Sequence, residues 1–287
     1  MKIFKIKSYC KVNLSLKVIK KLKNGYHNIS SLITFVDLYD IITISKIDKS
    51  KDIISFSGKF GKGIDKKNNT ITKLLILLRK KKLIKEQSFK INIEKNIPYG
   101  SGLGGGSSNA SNLLNYFNNK MKLKLKKNKI INLAKKIGSD VPICLEKKNT
   151  FLTGKKNKIL RINKKFNLNL LIVYPNIVCS TKKIYRRYRI KNSTKYQSYF
   201  NEKNNIKLID YLKREKNDLE KIVIKIYPKV GEIIYCIRGQ KGCLFSRITG
   251  SGSACIGIFS NRPNAISAQK LIRSRYPKYW SVVSKTI

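Results

Sequence analysis

The stretch that most limits what this 287-residue chain can become is Asn96-Ile97-Pro98-Tyr99-Gly100-Ser101-Gly102-Leu103-Gly104-Gly105-Gly106-Ser107-Ser108-Asn109-Ala110. Five glycines fall within the seven positions 100 to 106. Before them Phe89, Ile91 and Ile93 alternate with Lys90, Asn92 and Glu94, the period of a half-buried strand. After them Ala110, Leu113, Leu114 and Phe117 have helical spacing, so the pattern predicts strand, glycine loop and helix start. Glycine reaches positive φ and lets backbone approach a ligand closely, and the first helical turn leaves N–H groups with a partial positive charge. Such a loop is suited to holding phosphate. A flexible linker would lack the periodic elements on both sides and the fixed Pro98 and Leu103.

Two commoner phosphate loops do not fit. A Walker A loop ends in Gly-Lys-Ser/Thr so that lysine reaches the outer phosphates, whereas Gly106 is followed by Ser107 and Ser108. A dinucleotide fingerprint places its glycines directly after a strand, with an acidic residue about 20 positions further on. Here Asn96 to Tyr99 intervene, and the later stretch is Asn119-Lys120-Met121-Lys122.

Sixty-three basic residues against 15 acidic give a net charge of +48, which ordinarily points to a polyanion partner. The lysines, however, run through nearly every segment, as in Lys80-Lys81-Lys82 and Lys126-Lys127-Asn128. This diffuse enrichment predicts non-specific, salt-sensitive adhesion to nucleic acid and no specific nucleic-acid function. Cys10, Cys144, Cys179, Cys236, Cys243 and Cys255 form no Cys-x-x-Cys pair, and His27 is the only histidine, which argues against a zinc site or a disulfide framework. The first residues alternate like a strand, and no apolar run is long enough to span a membrane; a cytoplasmic protein is expected.

Along the chain, residues 2–7 alternate, then Val12, Leu14, Leu16 and Val18, which places Lys11 at the start of a strand. Asn24-Gly25 suits a tight hairpin, with Tyr26 and His27 just beyond it. Strands are expected around 33–38, at 40–44 and at 52–57. Asn69 or Thr70 caps a helix with Ile71, Leu74, Leu75 and Leu78 on its apolar face. A helix from Ile130 to Ile137 ends at Gly138, and Asp140 precedes an extended segment interrupted by Pro142. Thr153-Gly154-Lys155-Lys156-Asn157 is read as a lobe boundary, dividing the chain into 1–154 and 155–287. A buried strand follows at 168–173, then a helix capped by Ser180-Thr181, a variable loop region at 186–206 and a helix opened by Asn217-Asp218. Thr249-Gly250-Ser251-Gly252-Ser253 makes a second glycine turn before a strand at 256–258 and a terminal helix.

Taken in order, Ser8-Tyr9-Cys10-Lys11-Val12-Asn13-Leu14, Asn24-Gly25-Tyr26-His27, the glycine loop, Gly138-Ser139-Asp140-Val141-Pro142 and the second glycine turn resemble the galactokinase, homoserine kinase, mevalonate kinase and phosphomevalonate kinase (GHMP) family over nearly the whole chain. Within it, Gly25-Tyr26-His27 and Gly102 to Ala110 resemble the branch that uses ATP to phosphorylate the 2-hydroxyl of a cytidine-diphosphate-linked methylerythritol, in the non-mevalonate route to isoprenoid precursors. The resemblance implies a two-lobed α/β (α+β) GHMP fold, an ATP-binding N-terminal lobe, a substrate-side C-terminal lobe, a cleft active site, and ATP with magnesium.

It also implies roles. Pro98, Tyr99, Gly100, Ser101, Gly102, Leu103, Gly104, Gly105, Gly106, Ser107 and Ser108 would cradle the ATP phosphates, with a serine hydroxyl near the metal, whose other ligands stay unassigned. Asn69 and Lys95 match positions near the adenine. Asp140 would take or orient the acceptor proton, with Lys11 beside it. Tyr26 and Tyr185 would flank the cytosine and His27 would bond its edge, while Asn13 and Thr181 would line the acceptor end with Asp140. Tyr9-Cys10 replaces a smaller pair before the lysine, Ile33 stands where an aromatic is usual, and Lys182 replaces a proline. Two readings stay open beside this one: a GHMP kinase for homoserine or a mevalonate-like alcohol, and a basic RNA-binding protein on a kinase-like fold.

Overall fold

The computed structural model describes residues 2–22, 25–84, 87–153, 158–189 and 205–287. In chain order they form strands β1 (Phe4–Asn13), β2 (Lys17–Lys21), β3 (His27–Ile47) and β4 (Ile53–Ser57), helix α1 (Thr70–Lys80), strand β5 (Ser88–Glu94) and helices α2 (Gly105–Lys120), α3 (Lys127–Ile137) and α4 (Val141–Cys144). Strands β6 (Asn149–Thr153), β7 (Ile159–Ile162) and β8 (Asn169–Tyr174) come next, then helices α5 (Thr181–Arg187), α6 (Asn205–Arg214), α7 (Glu220–Ile226) and α8 (Pro228–Arg238). The chain closes with β9 (Cys243–Ile248), β10 (Cys255–Phe259), helix α9 (Arg262–Arg275) and β11 (Trp280–Lys285).

Two compact units interleave along the sequence. The first takes residues 1–11, 38–99 and 104–147; the second takes 12–37, 100–103 and 148–287. In the first, residues 41–47 of β3 pair antiparallel with β5, and β4 pairs parallel with β5. Alternation puts Ile42, Ile44, Phe89, Ile91 and Ile93 on one sheet face, where they meet the apolar stripes of α1, α2 and α3 in a single core. Asn69 fixes the start of α1: its side-chain oxygen accepts from the N–H groups of Ile71 and Thr72 at 2.9 and 3.0 Å.

In the second unit, β2 and β3 form a hairpin whose register pairs Lys21 with His27. Leu22 N–H bonds Tyr26 carbonyl at 2.7 Å, and Gly25 takes φ +80°, a conformation that favours glycine at this turn. Asn24 of the expected turn lies outside the described residues. Residues 30–33 of β3 pair antiparallel with β6, and β6 pairs antiparallel with β7. A separate antiparallel sheet in the order β11-β8-β10-β9 packs against α7, α8 and α9 through Leu171, Val173, Val223, Ile233, Ile237 and Ile272.

Several sequence expectations are corrected. The strands expected around 33–38 and at 40–44 are one 21-residue strand, β3, because its internal aspartates are bonded: Asp37 accepts from Lys285 N–H, and Asp40 from Asn96 N–H. Lys11 lies near the end of β1, since the strand runs without a break from Phe4 to Asn13 and is buried throughout its last four residues. After Asp140 the chain turns into the short helix α4; Pro142 sits in its first turn, where a missing N–H costs nothing. Helix α8 went unread although Val230, Ile233, Ile234 and Ile237 have helical spacing, and the chain ends in strand β11 after the terminal helix. Residues 154–157 of the expected lobe boundary and 190–204 of the expected variable loop lie outside the described residues.

Candidate active site

In the first unit, Gly104 stands at the N-cap of α2 with φ +68° and no side-chain cap. The first N–H bonded within the helix is that of Ser108, to Gly104 carbonyl at 2.9 Å. The N–H groups of Gly105, Gly106 and Ser107 therefore point out of the helix start, at the positive end of its dipole. Such a cradle suits an anionic phosphate group. Ser108 is buried and its hydroxyl donates to Tyr9 carbonyl, whereas Ser107 is only half-buried and is the better placed hydroxyl for a phosphate-bound cation. No group of three or more His, Cys, Asp or Glu could hold a metal ion among the described residues. The donor chemistry fits a magnesium ion carried mainly on phosphate oxygens, with a carboxylate or hydroxyl completing its shell.

Gly104 also presses on Lys11. A Cβ built at Gly104 would lie 2.7 Å from Lys11 Cγ and 2.8 Å from Cε, so the lysine stem runs directly beneath the loop. Its Nζ meets Asp140 Oδ2 at 3.3 Å, with the lysine side chain 5% and the aspartate 37% exposed. A buried cation thus holds a carboxylate that still reaches solvent. Asp140 occupies the N-cap of α4 without making a cap bond, so its carboxylate is held by the pair with Lys11 and not by the helix start. The Tyr9-Cys10 departure leaves this geometry in place: Cys10 is fully buried, and Tyr9 carbonyl is held from α2 by Ser108.

Residues 100–103 pack within the second unit, where the two glycine turns meet. Ala254 N–H bonds Ser101 carbonyl at 3.0 Å, and Cys179 N–H bonds Gly100 carbonyl at 3.1 Å. A side chain at Gly102 would run into Thr249 carbonyl. Thr249 Oγ1 accepts from Asn13 N–H at 2.8 Å, and Asn13 Nδ2 donates to Ser31 Oγ at 2.8 Å, so Asn13 is held from both sides. Thr181 Oγ1 and Ser251 Oγ share a 2.9 Å bond, which ties the start of α5 to the second glycine turn.

Tyr185 on α5 and His27 at the start of β3 meet with ring centroids 4.9 Å apart and planes tilted by 35°. Burial, then the Lys21 charge, pushes the His27 pKa below its ordinary 6.5, favouring the neutral ring. Tyr26 is 64% exposed beside them. Ile33 is fully buried in β3, opposite Thr150, and belongs to the packed interior.

Asn69 and Lys95, expected near adenine, have their side chains engaged. Asn69 Nδ2 donates to the carbonyls of Asp65 and Lys66 while Oδ1 caps α1. Lys95 is buried in an ion pair with Asp40. Sequence reasoning passed over Asp40; its signal was an aspartate inside an apolar strand, three residues after Asp37. It also passed over Tyr188 and Asp218, whose side chains bond at 3.2 Å.

A cap-free helix start, a glycine loop and a lysine–aspartate pair under that loop are features that phosphoryl transfer requires, and they stand on a two-sheet α/β scaffold. Family models for the GHMP kinases N terminal domain and the GHMP kinases C terminal match residues 69–148 and 198–278. The chain belongs to the GHMP kinase family. It is similar to a 4-diphosphocytidyl-2-C-methyl-D-erythritol kinase of Pelagibacter ubique, 39% identical over all of both chains, and to one of Caldicellulosiruptor bescii, 32% identical over 94% of each. Among solved structures, a 4-(cytidine 5'-diphospho)-2C-methyl-D-erythritol kinase shares the fold with TM-score 0.75 at 23% identity, covering 98% of this chain and 99% of its own. A homoserine kinase from Cytophaga hutchinsonii shares it with TM-score 0.73 at 16% identity, covering 100% and 95%.

Proposed function

We propose that the chain transfers the γ-phosphoryl group of ATP to the 2-hydroxyl of 4-diphosphocytidyl-2-C-methyl-D-erythritol, in the methylerythritol phosphate route to isoprenoid precursors. The observation that carries the acceptor's identity is the His27–Tyr185 pair beside exposed Tyr26, an aromatic and hydrogen-bonding set suited to a cytosine ring. The fold alone does not choose the acceptor, because homoserine kinase is matched almost as well.

In this reading Asp140 accepts the proton of the acceptor hydroxyl as its oxygen bonds to the γ-phosphorus, and the bond to the β-phosphate oxygen breaks to release ADP. Lys11 balances charge at that centre and fixes the carboxylate's position. Pro98 to Ser108 hold the ATP phosphates, largely through backbone N–H groups, and Asn69 and Lys95 stand toward the adenine end, where their side chains cap α1 and pair with Asp40. Bound magnesium would neutralise phosphate charge, with Ser107 as its protein hydroxyl. Asn13 and Thr181 position the acceptor. In this reading residues 1–154 carry nucleotide binding, and 155–287 complete the acceptor side together with Asn13, Tyr26 and His27. A cytoplasmic setting accords with six free cysteines and with no helix, among the described residues, long and apolar enough to cross a membrane.

The test is product identification by phosphorus NMR with ATP, magnesium and each of three acceptors: the cytidine compound, homoserine and mevalonate. A new phosphomonoester only with the cytidine compound is expected. Turnover of either other alcohol at a comparable rate would overturn the acceptor assignment.

A further inference from the structure

We propose that Asp40 is the positioning residue of the glycine loop: one buried carboxylate that holds the loop's entrance and its exit helix together so that the phosphate cradle is formed before ATP arrives. This rests on the ATP-binding role proposed for the loop. Its basis is the register of β3 and β5. Ile41 pairs with Glu94, so one step outward Asp40 faces Lys95, where the strand gives way to the loop. Asp40 is fully buried. Its Oδ1 accepts from Asn96 N–H at 2.8 Å and Ile97 N–H at 2.9 Å, fixing the entrance. Its Oδ2 accepts from Asn109 Nδ2 at 2.9 Å, in the second turn of α2, and forms the ion pair with Lys95.

Lys95 in turn reaches the exit. A Cβ at Gly105 would lie 3.2 Å from Lys95 Nζ and 2.9 Å from Ile97 Cγ2, so the ammonium and the entrance residue Ile97 both abut the first residue of α2. The carboxylate thereby links residues 96–97, 105 and 109, which bracket the loop on both sides. A buried ion pair is weak evidence for stability, because its desolvation offsets much of its attraction. Its value here is geometric: four donors converge on two oxygens, and each oxygen satisfies one part of the loop frame. A cradle assembled in advance spares ATP the ordering cost on binding.

The experiment uses the full chain and measures two things: Mg·ATP affinity by calorimetry, and amide hydrogen exchange at residues 96, 97 and 108–110, the first bonded amides of α2, in the protein without nucleotide. Asp40→Asn is compared with the double variant Asp40→Leu/Lys95→Met, which replaces the buried pair by apolar groups of similar size. In the double variant we expect a melting temperature within a few degrees of the wild type, ATP affinity lower by about 10- to 100-fold, the range that a lost charge-assisted hydrogen bond gives, and faster exchange at the five amides. Affinity for the cytidine acceptor should stay within threefold. Asp40→Asn should weaken ATP in the same direction if it folds; if it does not, the double variant decides. ATP affinity and exchange both unchanged in the double variant would reduce Asp40 to core packing and overturn the proposal. If the wild type itself fails to bind ATP, the nucleotide reading of the loop fails, while the exchange measurement still reports whether Asp40 orders it.

Discussion

Replacing Gly104 by alanine tests whether the loop and the Lys11–Asp140 pair are one device. Two costs add. Gly104 sits at φ +68°, where an L side chain is strained by roughly 1–2 kcal/mol. Its new Cβ would stand 2.7 Å from Lys11 Cγ and 2.8 Å from Cε, and overpacking of this kind typically costs about 1–3 kcal/mol. The sum is about 2–5 kcal/mol of stability. Lysine can relieve the clash only by moving its stem, which drags Nζ from its 3.3 Å contact with Asp140. A misplacement of roughly 1 Å at a reacting centre can cost about 100-fold in rate. Gly104→Ala should therefore lower kcat by about 100-fold in a coupled ADP-release assay and lower the denaturation midpoint. Gly106→Ala is the stability control: its Cβ would meet Thr70 Oγ1 at an ordinary 3.5 Å inside a helix, where alanine for glycine stabilises by roughly 0.5–1 kcal/mol. A Gly104→Ala protein with kcat and denaturation midpoint like those of the wild type would refute the coupling of loop and lysine.

Two further outcomes concern the cytosine side. Because burial holds the His27 pKa below 6.5, the folded protein resists protonation that the unfolded chain accepts; stability conferred by the neutral ring is present above pH 6.5 and is lost as pH falls below it. The KM for the cytidine acceptor should rise over that acid window while the KM for ATP changes little, and His27→Gln should remove the difference; parallel changes in both constants would contradict the assignment. Tyr188→Phe removes the hydroxyl that bonds Asp218 at 3.2 Å, a carboxylate that also holds Val18 N–H at 2.9 Å. Burial, then the Asp218 charge and hydrogen bond, pushes the Tyr188 pKa up to about 12, so the hydroxyl remains a donor. Loss of this anchor between α5 and β2 should destabilise by about 1.5 kcal/mol, read by urea denaturation, and raise acceptor KM more than it lowers kcat.

The strand, loop and helix around the glycines were legible because period and glycine spacing report local backbone needs directly. The same holds for the Asn69 cap and the Gly25 hairpin. Lys11 beside Asp140 was legible only through resemblance, since 129 positions separate them and no local rule joins them. Asp40 was hidden because an aspartate at the start of an expected strand reads as a solvated end; only the pairing of β3 with β5 reveals that it faces the loop. Helix α8 was obscured by Gly231 in its interior and by Pro228, which opens the helix instead of breaking it. The meeting of the two glycine turns, through Ser101 and Ala254, likewise depends on tertiary packing.

The most direct test of the account is single-turnover phosphoryl transfer by Asp140→Asn, with the acceptor's affinity measured on the same protein. A positioned general base contributes about 100- to 10,000-fold. The account predicts acceptor affinity within a few fold of the wild type and a transfer rate at least about 100-fold lower. Transfer within tenfold of the wild type by a folded, acceptor-binding variant would contradict it and move the chemistry away from the Lys11–Asp140 pair.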